Sequence, residues 1–302
     1  MNPLLKRPVE RVLSSSGAAR IARHRVRGKR LILAYHGVVP DDYAPAGERA
    51  LFISQRRFRE HLEMLGEVAD VAALDRLDEH GDGRPRVAIT FDDAYAGAVG
   101  AGVEELATRR LPATIFAVAQ SMGGLAFWWD AMAHDRGELD PGCRSYVLHQ
   151  LKGDTTRAKE WAEHAGENYR HALPAFAMPA TLQQLRDASS HPNITIGSHS
   201  WSHANLTELS TPELSAELSR SREWIRSEFG AKSTDWFAYP YGLSSSEVSR
   251  AVADAGYVAA VRISGGWHAA AEVSPYSRPR LNVSSGLSTS GLRARLIGAV
   301  RA

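Results

Sequence analysis

From residue 31 onward the chain alternates short apolar runs with stretches of helical periodicity, and this alternation restricts the fold more than any other feature. The β-rich runs are LILAY (31–35), VADVAAL (68–74), VAITF (87–91), ATIFAV (113–118), NITIG (193–197), WFAYP (236–240), YVAAVR (257–262) and RLNV (280–283). Between them lie helical patterns. SQRRFREHLEML (54–65) places Phe58, Leu62 and Leu65 on one face. STPELSAELSRSREWIRSEFG (210–230) opens with Ser210 and Glu213 as a capping box and ends at a glycine. SSSEVSRAVADAGY (244–257) also closes near a glycine. Near-continuous apolar strands are buried on both faces, which implies an α/β fold with a parallel sheet covered by helices. Eight candidate strands suggest a barrel or a broken barrel, with chemistry at the C-terminal strand ends. Residues 119–180, including FWWDAMAHDRG, are too long for a plain connection and read as a helical insertion that overhangs the site.

The length of 302 residues suits one large α/β domain with a sizeable core. The single cysteine, Cys143, excludes an intrachain disulfide and fits a reducing compartment. The +2 net charge is unevenly spread: residues 1–30 hold nine Lys or Arg against Glu10, giving +8 and leaving −6 on the rest. The expected division is therefore a basic arm or helix at 1–30 and a catalytic domain at 31–302. The arm suits solvent, an anionic lipid surface or a polyanionic substrate. Nucleic acid is not expected, because no stacking aromatics interleave the charges. No apolar run is long enough to cross a bilayer, and the N-terminus lacks the apolar core of a signal peptide. The expected location is cytoplasmic, with peripheral contact at the inner membrane.

Two constellations carry chemistry. Asp92 and Asp93 follow the strand VAITF in TFDDAY. One acid there would serve as a helix cap, but two exceed what a cap needs. His199 and His203 follow the strand NITIG in SHSWSH, four residues apart, which on a helical turn places both rings on one face. Two imidazoles and one carboxylate make a divalent-metal site with coordination positions left open, as a catalytic metal requires. The second carboxylate is then free to act as a base.

TFDDAY together with SHSWSH resembles the metal-dependent polysaccharide deacetylases, carbohydrate esterase family four, over residues 31 to about 285. The resemblance implies a distorted (β/α) barrel of seven to eight strands and hydrolysis of N-acetyl, sometimes O-acetyl, groups on sugars. It implies Asp92 as general base, and Asp93, His199 and His203 as ligands of a divalent metal, with Zn²⁺ the expected ion. FAYPYG (237–242) resembles the Pro-Tyr-Gly motif, whose Tyr backbone N–H, here that of Tyr241, helps bind the oxyanion. Two positions depart from the pattern. Ala94 replaces the glycine after the acid pair, and Ala238 replaces the arginine that pairs with the base. Arg280 or Arg278 is available to substitute. The late Leu-x-His motif is absent, but LAYHGV (33–38) resembles it moved to the first strand, so His36 is the candidate general acid. Trp128 and Trp129 either offer flat faces for sugar rings or pack a helix entry into the core, and Tyr95, Trp201 and Pro240 complete the candidate substrate-binding set.

The expected substrate is an N-acetylated glycan or glycan precursor. The basic arm keeps a second enzyme reading open, a deformylase or deacetylase of a lipid-linked sugar. A carbohydrate-binding protein without catalysis is the reading from another class. The intact set Asp92, Asp93, His199 and His203 argues against it, because a binder has no need of them.

Overall fold

Strand β1 is Arg30–Tyr35, followed by β2 (Gly37–Val39), β3 (Phe52–Ser54), β4 (Asp70–Val71), β5 (Arg86–Phe91), β6 (Ala113–Ala117), β7 (Ile194–Ser198), β8 (Ser233–Ala238), β9 (Ala259–Ile263) and β10 (Arg278–Asn282). These come from a computed structural model that describes residues 26, 28–81, 83–133, 137–170, 172–269 and 272–300. The basic arm, apart from Val26 and residues 28–30, lies outside the described residues, and so does its expected membrane contact.

Strands β1, β5, β6, β7, β8, β9 and β10 pair in parallel, and the β1–β5 pairing closes them into a seven-stranded barrel. All eight sequence runs contribute to this sheet. Its interior explains their unbroken apolarity. Ile32, Ala88, Phe116, Trp236, Ala238 and Val261 fill the inside of the barrel, while Leu31, Leu33, Val87, Ile89 and Ile115 pack outward. Both faces are dry, so neither face of a strand has reason to be polar.

The run 68–74 behaves differently from its expected strand. Val68 ends helix α1 (Gln55–Val68), only Asp70 and Val71 are extended, and Leu74–Arg76 forms a 3₁₀ turn. Leu74 and Leu77 belong to the interior cluster and plug it from one end. β4 pairs with Arg86 and Val87 of β5, whereas β6 pairs with Thr90 and Phe91. Two neighbours thus share one edge of β5, and this is where the barrel is distorted. The short parallel pair β2–β3 was not anticipated.

Outside the barrel lie α2 (Val103–Arg109), α3 (Trp128–Ala131), α4 (Pro141–Gln150), α5 (Thr155–Ala165), α6 (Leu182–Ser189), α7 (Thr211–Phe229), α8 (Ser246–Asp254) and α9 (Thr289–Leu296). The capping box on α7 forms as expected: Ser210 N–H donates to Glu213 Oε2 at 2.7 Å. Helix α7 stops at Gly230, whose φ of 50° favours glycine. α3, α4 and α5 all come from the segment 119–180. No helix among the described residues is long and apolar enough to cross a membrane.

Candidate active site

At the C-terminal ends of the barrel strands a cavity of about 190 Å³ is lined by His36, Asp92, Asp93, Trp129, Arg144, His199, His203 and Tyr241, with Leu51, Gly242, Ile263 and Asn282 at its margins. The chain therefore brings both constellations to one place, together with His36 from the end of β1.

β5 delivers the acids. Asp92 N–H is still held by Tyr35 O at 2.9 Å, as a strand residue, and then the backbone turns sharply. Asp93 has φ 68° and Ala94 has φ 51°, both in the region that glycine enters most easily. That is the physical reason a glycine would suit position 94. Ala94 holds the same turn with its methyl fully buried.

Asp92 meets Arg280, not Arg278. Arg280 reaches up inside the barrel from β10 and grips both carboxylate oxygens, Nη1 to Oδ1 at 2.7 Å and Nη2 to Oδ2 at 2.6 Å. Nη1 also donates to Thr90 Oγ1 at 3.1 Å, and the guanidinium lies 5.6 Å from the Phe116 ring centroid. Arg278, two residues earlier on the same strand face, points to the other end, where it pairs with Asp78 at 2.6 Å over Trp236. Arg280 is fully buried, so a bidentate carboxylate partner is what makes its burial tolerable. Burial acts to raise the Asp92 pKa, but Arg280 and then His199 outweigh it and hold the carboxyl below its usual range. Ala238, at the position of the missing arginine, has a different use: its carbonyl accepts from His199 Nδ1 at 2.7 Å.

That bond fixes His199. With Nδ1 protonated toward a carbonyl, Nε2 carries the lone pair. His199 Nε2 lies 3.2 Å from His203 Nε2 and 3.5 Å from Asp93 Oδ1, and His203 Nε2 lies 3.2 Å from the same oxygen. Burial lowers His199, and pushes His203 down to about 3, so both rings are neutral near pH 7. The histidines do not converge through a helical turn, as their spacing suggested. They converge through an irregular loop in which Ser200 has φ 67° and His203 φ 65°. Ser200 Oγ accepts from His203 N–H at 3.0 Å, and Ser221 Oγ donates to Ser200 O at 3.0 Å. Glu217 on α7 accepts from the backbone N–H of Trp201 and Ser202 and from Ser202 Oγ, at 3.0, 2.9 and 2.6 Å.

Asp93, His199 and His203 each turn a ligand atom inward, and these atoms all lie within 4.8 Å of one another. Asp93 Oδ1 is buried with no hydrogen-bond donor. Burial acts to raise the Asp93 carboxyl, and a cation among these three atoms would offset that cost; two imidazoles with one carboxylate suit Zn²⁺.

His36 Nε2 stands 3.9 Å from Asp92 Oδ2. Burial lowers its pKa, against the raising pull of Asp92 and Asp93. Tyr241 occupies a left-handed conformation, φ 58°, in the turn Pro240–Gly242. The turn is closed by Gly242 N–H to Tyr239 O and Leu243 N–H to Pro240 O, which leaves the Tyr241 N–H outside those bonds. Its ring packs edge-on to His203, with centroids 4.4 Å apart.

The aromatic candidates divide. Trp129 lines the cavity and contacts the His203 ring. Trp128 is fully buried behind it and donates through Nε1 to Tyr241 Oη at 2.9 Å, bracing that turn. Tyr95 is also fully buried, and its hydroxyl donates to Asp130 Oδ2 at 2.5 Å and accepts from Trp129 Nε1 at 2.8 Å. Trp201 is not part of the cavity wall; its ring lies under Arg220, 4.1 Å away. Pro240 is buried in its turn and is likewise not a wall residue. Of the five expected sugar contacts, Trp129 alone lines the cavity; Tyr95, Trp128 and Pro240 are buried, and Trp201 is half-buried under Arg220.

Several site residues escaped sequence reading. Asp130 is fully buried beneath the site and burial pushes its carboxyl up to about 8. An acid directly after two tryptophans in FWWDAM is the signal that would have found it. Arg144 is the lone Arg, Lys, Asp or Glu of its helix, and Glu217 sits among other charges on α7; neither carries such a signal.

Residues 79–260 match the family model described as polysaccharide deacetylase. A search of curated proteins gives no significant match. Among solved structures the fold is similar to Streptococcus pyogenes deacetylase PplD in complex with acetate, at 16% identity and a TM-score of 0.60, over 88% of this chain and 97% of that one. IcaB from Ammonifex degensii is similar at 16% identity and a TM-score of 0.60, over 89% and 97%. A polysaccharide deacetylase from Bacillus cereus is similar at 15% identity and a TM-score of 0.63, over 89% and 69%. With the family model spanning more than half of its length, this chain belongs to the polysaccharide deacetylase family.

Proposed function

We propose that the protein is a divalent-metal-dependent N-deacetylase acting on an amino sugar of a glycan or glycan precursor. The observation that carries this reading is the inward-facing set Asp93, His199 and His203 beside Asp92, which Arg280 holds by both oxygens. Family membership supports hydrolysis of an acetyl group, and the acetate found with PplD belongs to the same type of reaction.

The chain's own residues divide the work. Asp92 takes the proton of the attacking water, and Arg280 keeps that carboxylate ionised and aimed. The Tyr241 N–H faces the charge that develops on the acyl oxygen; one such donor is typically worth about 3 kcal/mol. His36 passes a proton from Nε2 to the departing amine, which is a poor leaving group without it. Asp93, His199 and His203 would hold the cation, which as a Lewis acid polarises the acyl group and makes water more acidic. Trp129, stacked on Phe127, lines the cavity beside His203 and excludes water from that side.

The test is acid release from N-acetylated oligosaccharides by protein loaded with a divalent cation. Acetate release that stops on chelation and returns on adding Zn²⁺ is expected. Formate release from N-formyl sugars with no acetate release would replace the reading with a deformylase. Sugar binding with no acid released from any of them would leave a binding protein.

A further inference from the structure

We propose that Arg144 makes the cavity selective for an acetamido sugar that carries an anionic group, a phosphate or carboxylate, on the same ring or at its glycosidic position. This rests on the deacetylase reading for its acetamido part.

Arg144 lies on α4 of the insertion, and among the described wall residues it is the one guanidinium or ammonium group. Arg280, the other arginine of the site, is fully buried and spent on Asp92. Arg144 is held from behind. Its Nη2 donates to Glu48 Oε2 at 3.1 Å, and the same oxygen accepts Leu139 N–H at 3.2 Å. Glu48 is buried, and its own N–H is fixed by Asp130 Oδ1 at 2.8 Å. The Arg144 side chain is nevertheless 42% exposed, against 10% for that of Glu48.

A guanidinium carries five donors in a planar fork, and Glu48 engages it at Nη2 only. Arg144 lines the cavity, and the donors that Glu48 does not engage suit a planar or tetrahedral oxyanion. Asp92 does not compete for them, since Arg280 holds both of its oxygens.

Size bears on where the anion sits. The cavity of about 190 Å³ falls below the roughly 300–1,000 Å³ of pockets that enclose drug-sized ligands, so its enclosed part suits about one sugar ring, with the rest of a longer ligand outside. An anion on the ring whose acetamido lies against Asp92, or directly attached to that ring, shares one cavity wall with Arg144. A neutral acetamido sugar leaves the exposed edge of Arg144 to water.

The test uses the full chain loaded with a divalent cation. Binding of N-acetylglucosamine, N-acetylglucosamine 1-phosphate and N-acetylglucosaminuronic acid is followed by NMR titration, in the wild type and in Arg144→Gln and Arg144→Lys. The wild type is expected to bind at least one anionic sugar fivefold or more tighter than the neutral one. A gain for the phosphate alone or for the carboxylate alone identifies the source of the anion. Arg144→Gln is expected to bring that ratio to near one, and Arg144→Lys to leave it intermediate, because a point charge lacks the fork. Equal binding of neutral and anionic sugars by the wild type overturns the proposal, as does an unchanged ratio in Arg144→Gln. Because the readout is binding, its outcome is separate from acetate release. Anion preference without acetate release would sink the hydrolase and leave the anion site, and acetate release without anion preference would do the reverse.

Discussion

The proposed division of labour between two adjacent carboxylates rests on which way each faces. Asp92 turns into the barrel toward Arg280, and Asp93 turns toward the histidines. Asp93→Asn is expected to lose bound metal, as are His199→Ala and His203→Ala. Asp92→Asn should keep metal and lose acetate release. Metal analysis beside an activity assay checks this, and equal metal loss in Asp92→Asn and Asp93→Asn would break the assignment. Arg280 has a stability role as well. Arg280→Met leaves Asp92 buried without its partner, and removing one member of a buried pair typically costs about 3–5 kcal/mol. Urea denaturation should show a loss of that order. A loss under 1 kcal/mol would mean that water or another group reaches Asp92.

At the scale of elements, the loop after β7 is held in place by α7. Glu217 ties down two backbone N–H groups and a hydroxyl in the stretch that carries His203, and two residues of that loop have positive φ. Such conformations persist only where the surroundings impose them. Glu217→Ala is expected to lower metal affinity about 10- to 100-fold, as loss of an outer partner of a metal site does, although Glu217 touches neither histidine ring. Zinc competition with a chromogenic chelator measures this. Unchanged affinity in a folded variant would show that the loop holds its shape alone. The insertion acts in a similar way from the opposite side. Trp128 reaches Tyr241 Oη, and Tyr241 Oη in turn donates to Gly153 O at 3.2 Å, so α3 and the α4–α5 turn brace the turn Pro240–Gly242.

Across the whole molecule, the core holds a histidine with a consequence for acid stability. His61 on α1 is fully buried, meets Tyr35 Oη through Nδ1 at 3.2 Å, and is pushed down to about 4 by burial and then by Arg57. Its folded pKa lies below its unfolded value, so the neutral form stabilises the fold. That stability is fully present above about pH 6.5 and is lost as the pH falls toward 4, while the unfolded chain takes up the proton. Between pH 7 and pH 5 this group accounts for about 2 kcal/mol. His61→Leu should narrow the wild-type stability gap between those two pH values by about that amount, read from urea midpoints. An unchanged gap would mean that His61 titrates near its ordinary value in the fold.

The sequence by itself determined the parts that depend on local pattern. The eight runs pointed to a parallel barrel, because strands dry on both faces are apolar throughout. The acid pair and the histidine pair were legible because such residues at the ends of apolar strands have no role in a core. The capping box at Ser210 and Glu213 was legible because it is a contact three residues long. Tertiary structure decided the rest. Nothing local separates Arg280 from Arg278: both lie on one strand with the same periodicity, and only the axial position of each inside the barrel sends one to Asp92 and the other to Asp78. Tyr95, Trp128 and Trp201 stood as candidate sugar contacts, with core packing open for Trp128, because an aromatic side chain looks the same in sequence whether a ligand or the protein covers it. The insertion and α7 settled that question, by enclosing the first two and stacking the third under Arg220. Arg144 and Glu217 stayed invisible for the converse reason. A charge on a polar helix reads as solvated until packing of distant segments turns it toward a cavity or a loop.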